Sequence, residues 1–108
     1  MLAPIVIVEN GDVSFFADVS IAARALEPID VRNNEYVAYD SLGYTLQLVL
    51  DYQRVTISGR TSVTPKPEEL NSVLRTFYER AVGEPVPLSV EPLQQLLELC
   101  IKRFGYGA

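Results

Sequence analysis

Catalysis near neutral pH leans on groups that titrate there. This 108-residue chain has no histidine, no tryptophan and a single cysteine, Cys100. The commonest general base and the commonest metal ligand are therefore missing. One thiol can neither close an internal disulfide nor build a thiolate zinc site. No imidazole is present to activate a serine or threonine, and only Lys66 and Lys102 could supply a Ser–Lys pair, at no supporting spacing. Cys100 falls inside an apolar helical pattern, where burial raises a thiol pKa and suppresses its reactivity. Acid–base work by paired carboxylates is left, with Asp30, Glu35 and Asp40 along one stretch, but their spacing in sequence defines no separation in space. These residues predict no catalytic centre, no cofactor and no metal site.

Two segments imitate ligand loops and fail on chemistry. Asp30-Val31-Arg32-Asn33-Asn34-Glu35 begins like a calcium loop, but Arg32 stands where an oxygen ligand is required and Glu35 replaces the turn glycine. Ser58-Gly59-Arg60-Thr61-Ser62 lacks the first glycine and the lysine of a phosphate loop. The first reads as an acidic loop, the second as a turn between strand and helix.

The distribution of charge is more informative. Of fourteen acids and nine bases, eight acids and two bases (Arg24 and Arg32) lie in residues 1–52, so that half carries −6 and the remainder +1, giving the net −5. Four of the six tyrosines, Tyr36, Tyr39, Tyr44 and Tyr52, lie in the acidic half. An acidic chain is repelled by phosphate backbones and by anionic membrane surfaces, so neither nucleic acid nor membrane is an expected partner. A basic protein surface is favoured, because opposite charge steers encounter. Tyrosine, with an apolar body and a polar tip, is enriched at interface hot spots. The candidate contact surface is Asp30, Glu35, Tyr36, Tyr39, Asp40, Tyr44, Asp51 and Tyr52. Charge reversal at Asp40 together with Glu35 is expected to weaken binding without unfolding the protein.

These residues are positioned by a series of short elements. Ile5 to Val8 and Val13 to Phe16 read as strands joined by Asn10-Gly11, the strongest two-residue hairpin signal. Asp18 or Ser20 can cap a short helix ended by Pro28. Residues 28–34 read as a polar link. Tyr36 to Tyr39 is a strand, followed by the turn Asp40-Ser41-Leu42-Gly43. In Tyr44 to Leu50 the alternation of Leu46, Leu48 and Leu50 with polar residues fixes one buried face. Val55 and Ile57 repeat it after a tight turn near Asp51-Tyr52. A helix then enters through Thr64-Pro65-Lys66-Pro67, runs through Leu70, Leu74 and Tyr78, and breaks at Gly83. Ser89 is the expected cap of a last helix with its stripe at Leu93, Leu96, Leu97, Cys100, Ile101 and Phe104. This predicts one α+β domain over residues 1–108, in the order ββ-α-ββ(β)-α-α. Its four- to five-stranded, mostly antiparallel sheet has helices over one face.

The stretch Leu26-Glu27-Pro28-Ile29-Asp30-Val31, with Glu35-Tyr36, Tyr39-Asp40 and Gly43, and the earlier Gly11-Asp12 and Phe16, resembles small bacterial proteins encoded beside polymorphic or secreted toxins. Many of these are immunity proteins. The resemblance covers about residues 5–50 and carries no catalytic residues. It implies a non-enzymatic cytoplasmic protein that binds and neutralises a cognate toxin, with an acidic, tyrosine-bearing face to complement a basic cleft. The N-terminal apolar run is interrupted by Pro4 and stopped by Glu9, with no basic region before it. It reads as part of the domain and not as a signal peptide. The alternative is a small acidic adaptor or chaperone for a secreted effector, using its helical stripes to dimerise or to grip an unfolded segment.

Overall fold

The chain turns first at Asn10 and Gly11, which both take positive φ, +50° and +88°. That is the backbone of a tight hairpin whose twist matches its strands, and Asn-Gly is the pair that tolerates it best. In this computed structural model, which describes residues 1–107, the turn joins β1 (Ile5–Glu9) to β2 (Asp12–Phe16). Then follow α1 (Val19–Ala25), α2 (Pro28–Arg32), β3 (Tyr36–Tyr39), β4 (Thr45–Asp51), β5 (Arg54–Arg60), α3 (Pro67–Val82) and α4 (Leu93–Phe104). The five strands form one sheet in the order β2-β1-β3-β4-β5, with every neighbouring pair antiparallel. The α+β class is as the sequence predicts, and the order of elements matches it apart from one added helix, α2. No helix among the described residues is long and apolar enough to cross a membrane.

Helices cover both faces of the sheet, where the sequence pattern had suggested one. Ile5, Val6 and Ile7 are all buried, so successive residues of β1 point into two separate cores. Val6 joins Val13, Phe15 and Tyr39 beneath Leu70, Leu74 and Tyr78 of α3 and Leu96, Leu97 and Cys100 of α4. Ile5 and Ile7 join Phe16, Ala38, Leu46, Val55 and Ile57 against Ala22, Leu26 and Val31 from α1 and α2. The unbroken apolar run of β1 is the sequence sign of a strand buried on both faces. Each fully buried large side chain contributes about 1.5–3 kcal/mol before the entropy of ordering is counted.

Local chemistry accounts for the element ends. The Asp18 carboxylate accepts from the Ile21 N–H at 2.8 Å and caps α1. Residues 28–32, expected as a polar link, instead make the single turn of α2. Pro28 supplies a preset φ at the first position and Val31 is buried beneath the sheet. The last helix starts at Leu93 with Pro92 before it and no side-chain cap, so Ser89 does not serve as one. Gly83 ends α3 in the left-handed conformation, φ +81°. Gly43, φ +90°, closes the turn after β3, and a Cβ there would lie 2.9 Å from the backbone of Lys66 and Pro67.

Candidate partner-binding surface

Strand direction sorts the eight candidate residues into two groups. Glu9 at the end of β1 lies opposite Tyr36 at the start of β3, so the β1–β2 turn, the approach to β3 and the β4–β5 turn share one end of the sheet. Asp30, Glu35, Tyr36, Asp51 and Tyr52 belong to that end. Tyr39, Asp40 and Tyr44 belong to the other.

At the first end one carboxylate oxygen each from Glu9, Asp30 and Glu35 lies within 4.8 Å of the others, all three side chains being half-buried. Glu9 is brought there by β1–β3 pairing. The Tyr36 hydroxyl ties the group to the chain before it, donating to Asp30 Oδ2 at 3.3 Å and accepting from the Glu27 N–H at 3.1 Å. Crowding shows in the protonation of these groups. Glu35 is held above the usual carboxylate range, first by its hydrogen bond with Asp30 and then by that residue's charge. Glu9 is raised by desolvation and by the charges of Asp30, Glu35 and Asp12. Tyr36 is raised mainly by burial, with Glu9 and Asp30 adding to it. Like charges this close resist joint ionisation, which favours the protonated form of Glu9 and Glu35. Three oxygens could also touch a hard cation, but calcium takes about six to eight.

The neighbouring tip of the β4–β5 hairpin carries Asp51, which is exposed, and Tyr52, 91% exposed at φ +55°. A bulky aromatic at positive φ is uncommon, since its Cβ crowds the following carbonyl.

At the opposite end two of the three candidates, Tyr39 and Asp40, are buried. Asp40 is completely buried. Its Oδ1 accepts from the N–H groups of Leu42 and Tyr44 at 3.0 and 3.1 Å, and its Oδ2 lies 3.2 Å from two Arg60 nitrogens. Arg60 also stacks on the Tyr44 ring, its guanidinium carbon 3.7 Å from the centroid, leaving Tyr44 half-buried. Tyr39 is 3% exposed in the α3–α4 core, and burial, aided by Glu69, pushes its phenol up. The expectation of one eight-residue contact face is corrected: Tyr39 and Asp40 are buried, and Tyr44 lies at the opposite end of the sheet from Asp30, Glu35, Tyr36, Asp51 and Tyr52. Charge reversal at Asp40 would break a buried ion pair and the turn it organises.

Sequence reasoning missed Glu9 as a member of the acidic group and Arg60 as the partner of Asp40. Glu9 lies far from Asp30 in sequence and meets it only through strand pairing, so no local spacing could have found it. Asp40 at the first position of a turn is recognisable in the sequence, but neither its burial nor its Arg60 partner is. Set beside known proteins, the chain matches no family model, no curated protein and no solved structure.

Proposed function

We propose that this protein is an immunity protein that binds and neutralises a cognate bacterial toxin through a basic surface of that toxin. The observation that carries this reading is the packing of the Glu9, Asp30 and Glu35 carboxylates within 4.8 Å at one end of the sheet. Their mutual repulsion costs the free protein stability, and Arg or Lys groups of a partner would relieve it. Part of the electrostatic attraction is therefore stored before contact is made. Tyr52, exposed at the same end, supplies the aromatic anchor such a patch lacks. The chain acts by occupying the toxin, in the cytoplasm of the cell that makes both, and performs no chemistry of its own.

The test is co-expression with a toxin encoded by a neighbouring gene and measurement of complex formation and survival. Glu9→Lys with Glu35→Lys is expected to weaken binding at least about tenfold and to flatten its salt dependence. Circular dichroism should stay unchanged, because both side chains lie at the rim of the fold. Unaltered affinity and unaltered protection would remove the acidic end from the interface. An obligate dimer that holds its neighbour's product unfolded would instead establish the chaperone reading.

A further inference from the structure

An edge strand presents a row of unpaired N–H and C=O groups that another strand can adopt, and folds blunt such edges in different ways. At β5, α1 forms a wall beside Arg54–Ile57, Arg54 adds a charge, and a bulge breaks the register next to Ile57. At β2 the register is unbroken from Asp12 to Phe16, and Val13, Phe15 and Phe16 are apolar. What meets that edge is the chain's own tail.

Two glycines build the contact, each for its own reason. Gly105 ends α4 at φ +80°, ψ 176°, a region that is essentially glycine's alone, and there the chain leaves the helix. Gly107 then lies so close to Phe16 that a Cβ would collide with the ring. Its N–H donates to the Phe15 carbonyl at 2.7 Å. That carbonyl is free to accept because of the hairpin phase. Glu9 and Asp12 close the Asn10-Gly11 turn and exchange both backbone bonds, and pairs alternate from there. Ser14 therefore bonds to Ile7, while the backbone groups of Val13 and Phe15 point outward. Among the described residues the Gly107 bond is the one these outward groups make.

We propose that residues 105–107 are a releasable strap guarding the β2 edge, and that its release lets β2 pair with β2 of a second copy of this chain. The edge is complementary to itself. A two-fold axis at Ser14 sets Val13 opposite Phe15 of the copy and Phe15 opposite its Val13, which uses every outward group in the stretch. Ser14 then faces Ser14, and Asp12 faces Phe16, so no like charges are opposed. The strap is held by one hydrogen bond and one ring contact, so it opens far more readily than the sheet beneath it. One such bond keeps it shut about two- to tenfold. Both copies must open before they pair, so their penalties multiply and weaken the dimer by about four- to a hundredfold. The strap meets β2 at the end away from Glu9, so this device stands or falls separately from the acidic end.

The test uses the full chain, in salt that screens the −5 charge of each copy. Gly107→Pro has no N–H to donate and no room beside Phe16. Its dimer dissociation constant, from light scattering, should fall by about four- to a hundredfold relative to the unaltered chain. Gly105→Val cannot hold the glycine backbone and should do the same by another route. In both dimers amide exchange should slow at Val13 and Phe15, while Ser14, already bonded to β1, stays as it was. Adding Ser14→Lys, at an exposed position, sets two lysines against each other at the two-fold axis and should restore the monomer. Thr56→Lys on β5 should not. The proposal is overturned if both glycine variants stay monomeric at about 1 mM. It is equally overturned if their association survives Ser14→Lys, or if the slowed amides lie on β5.

Discussion

The carboxylate of Asp40 and the guanidinium of Arg60 meet at 3.2 Å, the acid fully buried and the base about one-third open. Twenty residues separate them, and the pair locks the β3–β4 turn onto the end of β5. An acid that the sequence pattern offers as a surface charge is thereby committed to the fold.

Asp40→Asn should therefore lower stability in urea unfolding by about 2–3 kcal/mol, the range for weakening a buried charge-assisted network whose cation keeps some water. An unchanged urea midpoint would show that the pair contributes nothing to the fold.

Stability at the opposite end of the sheet should depend on pH. The folded-state pKa of Glu35 is raised, chiefly by its hydrogen bond with Asp30, and that of Glu9 by desolvation. A raised carboxyl contributes stability that is fully present below its unfolded value and is lost as pH rises through its folded value. Repulsion is thus greatest at neutral pH. Glu35→Gln should raise the melting temperature at pH 7 and leave it nearly unchanged at pH 4. Melting curves at the two pH values decide it, and equal shifts at both would rule out repulsion as the cause.

Tyr52 occupies a left-handed backbone position at almost full exposure. Asn tolerates that conformation better because its short side chain can bond locally. Tyr52→Asn should stabilise the free protein by about 0.5–1 kcal/mol. If the ring is an anchor, the same substitution should weaken toxin binding, so stability and affinity would move in opposite directions. A loss of stability would mean that the ring packs on the fold.

Cys100 is fully enclosed, and desolvation alone pushes its thiol up to about 11. At pH 8 little thiolate exists and no path leads to it. Ellman's reagent should label it slowly in native buffer and at once in denaturant. Fast native labelling would mean that α4 opens readily.

Much of the fold was legible from local pattern because the responsible physics is local. Asn10-Gly11 specifies its hairpin through backbone sterics. Leu46, Leu48 and Leu50 set the buried face of β4, and Leu70, Leu74 and Tyr78 set that of α3. The one-turn α2 escaped notice because its five residues are too few to show a helical period, and its only core contact is Val31. The second helical layer escaped because a continuous apolar run says that both faces are covered without saying by what.

The sequence by itself determined the composition of this protein's surface chemistry: a histidine-free chain with its acidity in the first half, its tyrosines beside those acids, and a cysteine set into a helical stripe. Each of these follows from residue identity and near neighbours. Only the tertiary structure decided which of those charges face outward. Strand pairing over long separations gathered Glu9 to Asp30 and Glu35, carried Arg60 to Asp40, and left the β5 edge open while the tail met β2. Coulomb interactions and backbone hydrogen bonds depend on distance in space, and the antiparallel register sets that distance.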